Sequence, residues 1–356
     1  MAYSPIDKPN TQMNPVIYTG DGVSPRTITG ANFQPDFVWI RNRTQAGDSG
    51  LYDSIRGAGN NKDLVSESSG AEGAGGADGY GYLSGFTSDG FQTTTGTTGF
   101  DTTNKLGNNY ATWNWKAGGT AVSNTDGSIT SSVSANTTSG FSVVKYTGNG
   151  SDGATVGHGL GAVPKLIIYK ELTEARNWYV FTSVIDGTYD NLYLNLTDAK
   201  TDRAITLPTS SLFSLSTSNE HNASSQDYIA YCFADVKGFS KFGSYVGNGS
   251  TDGTFVFTGF KPAFVMIKNA SAAATDWIMY DKARGGPASG VYGNNNKYFL
   301  RANTNGAEAN ESFDMLSNGF KIRISNAFLN GSGNTLIYMA FAENPLVASN
   351  YVPTTA

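Results

Sequence analysis

One pattern of roughly 100 residues recurs three times along this chain, and that self-similarity limits the fold more than any other feature. Tyr18-Thr-Gly-Asp-Gly22 returns as Tyr146-Thr-Gly-Asn-Gly150 and as Tyr245-Val-Gly-Asn-Gly249. Each copy reads as a strand entering a turn whose positive φ suits Gly, Asn or Asp. Next come Pro35-Asp-Phe-Val-Trp-Ile-Arg41, Pro164-Lys-Leu-Ile-Ile-Tyr-Lys170 and Pro262-Ala-Phe-Val-Met-Ile-Lys268. Proline suits a strand entry, where no ladder N–H is needed, and the unbroken apolar run predicts burial on both faces. Leu51-Tyr-Asp-Ser-Ile-Arg-Gly57 matches Met279-Tyr-Asp-Lys-Ala-Arg-Gly285, whereas the second copy keeps only Trp178 and Phe181 opposite Trp277 and Tyr280. Ser88-Asp-Gly-Phe91 matches Ser317-Asn-Gly-Phe320. Each copy closes on alternating large residues: Tyr110-Ala-Thr-Trp-Asn-Trp115, Tyr228-Ile-Ala-Tyr-Cys-Phe233 and Leu336-Ile-Tyr-Met-Ala-Phe341. That period of two puts Trp113 and Trp115, and their counterparts, on one sheet face.

Many short strands separated by turn signals predict an all-β chain of three tandem antiparallel β-sandwich modules, jelly-roll-like, with little helix. The expected boundaries are an N-terminal arm 1–15, modules 16–119, 120–238 and 239–347, and a tail 348–356. Gly119 to Ser139 reads as a linker or, through the weak alternation of Ser128 to Ser134, as an edge strand of the second module. The Gly-rich stretch Ser68 to Gly81 reads as a long exposed loop. The two ends read as extended arms that order only on a neighbour. In the N-terminal arm, Tyr3, Pro5, Ile6 and Met13 are the small apolar anchors expected to dock on a larger particle.

Composition narrows the function classes. Charged residues are only 15 % and the net charge is −5, with no basic stripe, which argues against nucleic acid as a partner. Abundant aromatics, 19 Tyr and 20 Phe, together with low charge predict a folded chain. The N-terminus has no signal-peptide pattern and no apolar run nears 18 residues, so neither export nor membrane insertion is expected. Cys232 has no cysteine to pair with, which weakly favours assembly in a reducing cytosol.

The opening Met-Ala-Tyr-Ser-Pro-Ile-Asp-Lys8, the segments Val16 to Gly22, Phe33 to Arg41 and Leu51 to Gly57, and Val156-Gly-His-Gly-Leu-Gly-Ala-Val-Pro164 resemble a known set of proteins. These are uncharacterised repeat-module virion structural or tail-fibre-like proteins of marine tailed bacteriophages. The resemblance spans nearly the whole chain and implies a virion protein, assembled in the host cytoplasm, without implying any chemical site. Its partners would be other virion proteins and a host surface glycan or receptor, and a homo-oligomer is expected. Host contact is the leading expectation; capsid decoration or a tail collar is the alternative, and a polysaccharide-degrading enzyme a distant one.

No residue set in the sequence predicts catalysis, a cofactor or a metal. His158 and His221 lie apart within the second copy without companion ligands, so each reads as a satisfied loop histidine. Cys232 reads as a small buried hydrophobe on a closing strand. Asp53 with Arg56, and Asp281 with Arg284, are the most suggestive polar sets. They read as a tight turn fixed by an ion pair, or else as a binding site or interface hook. Gly73 to Gly79 lacks the Lys-Ser/Thr of a phosphate loop. Asp152 and Asp252 read as turn residues, because Ca²⁺ needs six to eight oxygens. The Asn-x-Ser/Thr triplets at Asn136 and Asn195 carry no expected role. A depolymerase would more often be a β-helix of many short coils than three modules of this size.

Overall fold

The structure is a computed structural model that describes residues 4–99, 101–285 and 297–347. The first repeat unit supplies β1 (Met13–Thr19), β2 (Arg26–Thr29), β3 (Phe37–Asn42), β4 (Gly50–Asp53), β5 (Leu83–Thr87), β6 (Gly90–Thr93) and β7 (Asn109–Trp115). The second supplies β8 (Val122–Asn124), β9 (Ser131–Asn136), β10 (Phe141–Thr147), β11 (Thr155–Gly157), β12 (Pro164–Glu171), β13 (Tyr179–Thr182), β14 (Asp190–Tyr193), β15 (Thr201–Asp202), β16 (Leu212–Ser214) and β17 (Asp227–Ala234). The third supplies β18 (Ser240–Val246), β19 (Phe255–Phe257), β20 (Phe260–Asn269), β21 (Trp277–Asp281), β22 (Tyr298–Arg301), β23 (Ala309–Asn310), β24 (Phe313–Leu316), β25 (Gly319–Ile322) and β26 (Thr335–Pro345). Helix is confined among the described residues to single turns such as Ala77–Tyr80 and Ala327–Asn330, and none is long and apolar enough to cross a membrane.

The large sheets share one order. They run β1-β7-β3-β4, then β10-β17-β12-β13 inside an eight-stranded sheet, then β18-β26-β20-β21 inside a six-stranded one. Each has a small companion sheet: β2-β6-β5, β11-β16 and β19-β25-β24. In every unit the strand that enters the repeated Gly-Asp/Asn-Gly turn (β1, β10, β18) pairs with the last strand, and the strand after that turn (β2, β11, β19) pairs with a late one (β6, β16, β25), the nested pairing of a jelly roll with fewer strands. Register agrees residue for residue. Phe37, Leu166 and Phe264 face Trp115, Phe233 and Phe341 across the closing strand, and Asp53, Thr182 and Asp281 on the other side.

Both faces of each central strand are buried, which is why these strands read as unbroken apolar runs. In the first unit Val38 and Ile40 pack with Ile28, Leu83 and Phe91 of the companion sheet. The other face, with Phe37, Trp39, Trp113 and Trp115, joins an apolar core that draws on all three units. At its centre Trp115, Phe233 and Phe341 meet edge to face, their ring centroids 6.4, 6.1 and 5.9 Å apart. These are the same register position in three copies, so the units surround an approximate threefold axis.

Three equivalent backbone hydrogen bonds close the ring. Glu72 donates to Leu172 at 3.0 Å, Lys200 to Ala270 at 2.8 Å, and Glu308 to Arg43 at 3.0 Å. The first unit thus holds the second, the second the third, and the third the first. Discrete modules in series, each with its own core, were the expectation from sequence. The units instead share a core, because the second face of each large sheet is apolar and only the other two units are there to cover it.

Three local expectations also change. Residues 4–15 are not a free arm: Ile6 is 4 % exposed and Met13 fully buried in the common core, with Met13 paired opposite Trp115. Ser68 to Gly81 is not simply exposed, since Ser69 and Glu72 bond to the second unit and Ala77–Tyr80 forms a helical turn. Between Gly119 and Ser139, β9 lies inside the second sheet against β10, and β8 is the edge.

Candidate functional site at the junction of the three units

The two Asp–Arg sets are buried structural devices. Asp53 accepts from Arg56 Nε at 2.5 Å and from the Arg56 backbone N–H at 2.9 Å, and Asp281 treats Arg284 likewise at 2.5 and 3.0 Å. Each carboxylate also reaches across a seam. The Tyr231 hydroxyl donates to Asp53 at 2.8 Å, and the Trp113 indole N–H donates to Asp281 at 2.9 Å. Trp113, Tyr231 and Met339 occupy the same register position, opposite Trp39, Ile168 and Met266. The second unit has Thr182 in place of the aspartate, and the third unit offers Met339, which has no proton to donate. The turn and the hook are therefore one feature, kept at two seams and replaced at the third.

The cation that ends each Pro-led strand has a parallel role. Arg41, Lys170 and Lys268 are all fully buried. Each donates to a carbonyl of the preceding unit in the ring: Arg41 to Gly306 at 3.0 Å, Lys170 to Ser69 at 3.3 Å and Lys268 to Thr197 at 3.3 Å. Burial pushes both lysines down to about 8, which still leaves them charged at neutral pH.

The remaining singled-out residues are held by their own surroundings. His158 is buried, accepts from Leu160 N–H and lies 3.2 Å from the Thr209 carbonyl. His221 packs against the rings of Tyr169 and Tyr179, and burial pushes its imidazole down to about 3. Burial raises the Cys232 thiol far above its ordinary value, whereas a nucleophile would need it lowered. Asp252 pairs with Lys321 and Arg323, and Asp152 is exposed. Asp186, Asp190 and Asp202 converge within reach of an ion, but the Lys200 ammonium already sits 2.5–2.8 Å from all three. Pro5 is exposed and Tyr3 lies outside the described residues.

Sequence reading missed two recurrent sets. Asn104, Asn222 and Asn330, all buried, each accept from the middle residue of a repeated turn: Asp21, Asn149 and Asn248. They lie in stretches with no common motif, so only their spacing ahead of the closing strand could have marked them. In the same turns Gly22, Gly150 and Gly249 take the positive φ, at 69°, 70° and 68°. The second missed set surrounds the axis. Glu67, Asn195 and Asn303 accept from the backbone N–H groups of Ser49, Trp178 and Trp277, at 2.8, 2.9 and 2.8 Å. Together with Asp48, Asn177 and Asn305 they line an open polar pit of ≈ 620 Å³ to which every unit contributes.

The molecule is polar along its axis. The three Gly-Asp/Asn-Gly turns follow Thr19, Thr147 and Val246, opposite Asn109, Asp227 and Thr335. Those partners bond to Arg43, Leu172 and Ala270, beside the pit. The first and last described segments gather at the other end, with Ser4 against Gly238 and Pro345 opposite Phe260. About 20 Å of strand separates the two ends.

Fold and site define an all-β, sandwich-like protein whose three sheet units close into a ring around a polar axial pit. The chain belongs to the family described as a domain of unknown function (DUF7483), whose profile matches residues 8–345. No curated protein matches its sequence.

Proposed function

We propose that this chain is a non-enzymatic structural component of a bacteriophage virion, a tail-fibre-like appendage that contacts the host. The observation that carries the reading is the axial polarity. The pole where Ser4 meets Gly238 and Pro345 faces Phe260 suits attachment to other virion proteins. Three turns and a polar pit at the far pole suit outward presentation to a glycan or receptor. A rigid shared core keeps those loops in fixed relation, and preorganisation of this kind limits the entropy lost on binding. Electron microscopy of intact particles bearing a tag at the third-unit turn Asn248 tests it. Tagged density at the tail periphery is the expected result; density spread over the capsid faces, and absent from the tail, would overturn it.

Capsid decoration is the second reading, favoured by the threefold-like ring. A single chain of that symmetry matches a local threefold position of a shell without needing three copies. The same micrographs separate the two readings.

A further inference from the structure

We infer that the axial pit is a binding site for a neutral, hexose-type carbohydrate. The inference deepens the host-contact reading and rests on it. Hydrogen-bonding capacity in the pit is mixed and partly unused. Asn177 accepts through its oxygen from Asn195, and its amide protons have no partner among the described residues. Ser69 and Thr304 have hydroxyls engaged with no other described residue, and Asp48 holds only a long, 3.4 Å bond from Asn305. Donors, acceptors and two-way hydroxyls side by side match sugar hydroxyls, each of which both donates and accepts.

Charge disfavours the competing class. Arg41 is paired with Glu67 at 3.1 Å, the Lys170 and Lys268 ammonium groups are fully buried behind the wall on the carbonyls of Ser69 and Thr197, and Asp48 stays open to the pit, so an anionic ligand would meet an accessible carboxylate before any cation. An aromatic face is also close. Tyr80 lines a second depression of ≈ 220 Å³ that shares Asp48 and Asn305 with the pit. A sugar spanning the two would set its apolar C–H face on that ring and its hydroxyls among the amides. Each unit supplies a different wall, so the site exists only in the closed ring.

The test applies the full chain to an array of immobilised bacterial surface oligosaccharides, neutral and acidic, with Ca²⁺ alone titrated separately by calorimetry. Neutral hexose-containing glycans should bind, and Asn177→Ala, Asp48→Asn and Tyr80→Ala should each weaken binding at least tenfold with unchanged melting temperature. Ser211→Ala, on the far side of the second unit, should leave it unchanged. Binding confined to acidic glycans, binding of Ca²⁺ alone, glycan binding that all three pit variants retain, or no glycan bound at millimolar concentration would each overturn the inference. Should the particle images still place the chain at the tail periphery, the host-contact reading survives that failure; capsid density would remove the reading whatever the array shows.

Discussion

Asp281 accepts hydrogen bonds from a turn and from a neighbouring sheet, so one carboxylate fixes both a local bend and a seam. Removing it leaves the fully buried Arg284 without its closest carboxylate, with Glu308 at 3.3 Å as the remaining one. Asp281→Ala is expected to cost about 3–5 kcal/mol, as when one partner of a buried pair is removed. Thr182→Ala, at the same register in the second unit, should cost only about 1 kcal/mol, since it removes neutral hydrogen bonds alone, one to the Lys165 carbonyl and a long one from the Val184 N–H. Urea denaturation of both variants measures the contrast, and equal losses would contradict the seam assignment. The loss of Asp and Arg from the second copy was plain in the sequence. Its reason was not, because the matching change, Met339, sits in another repeat and becomes a neighbour only when the ring closes. His221 contributes to the pH dependence of stability. Its folded value of about 3 lies below its ordinary 6.5, so the stability it contributes is complete above pH 6.5 and is lost as pH falls from there toward 3. Melting temperatures followed from pH 7 to pH 4 should fall less steeply in His221→Gln than in the unaltered chain; parallel slopes would remove His221 as a source of acid sensitivity.

Strands were legible where their pattern came from burial. The run Phe37 to Ile40 announced a strand covered on both faces, and Trp113 with Trp115 announced a common face; each follows from a period that the backbone imposes. Edge elements were less legible. The chemistry of β9, Ser131 to Asn136, is polar, and its place inside the sheet comes from pairing with β10 rather than from apolar pattern. The pit was illegible, since polar loops from three units meet there and no one segment carries its signature. The closing strands are the elements whose loss should matter most. Trp113→Ala, Trp115→Ala and Phe341→Ala each empty a fully buried aromatic position and are expected to cost about 3–5 kcal/mol. Chemical denaturation provides the check, and a variant as stable as the unaltered chain would show that its ring does not support the core.

At the scale of the molecule, a core shared by three units predicts that they unfold together. Calorimetry should record one transition, with calorimetric and van't Hoff enthalpies in agreement; three separate transitions would mean that each unit is stable by itself. For the same reason a fragment of residues 16–119 should lack a cooperative melt and bind an apolar dye, having uncovered Phe37, Trp113 and Trp115. The backbone bond from Glu308 to Arg43 that closes the circle has one more consequence. A ring made of three separate chains falls apart on dilution, and each substitution in it appears three times. Here closure is intramolecular, so it does not depend on protein concentration, and a change in one unit alters one wall of the pit and leaves the other two as they were.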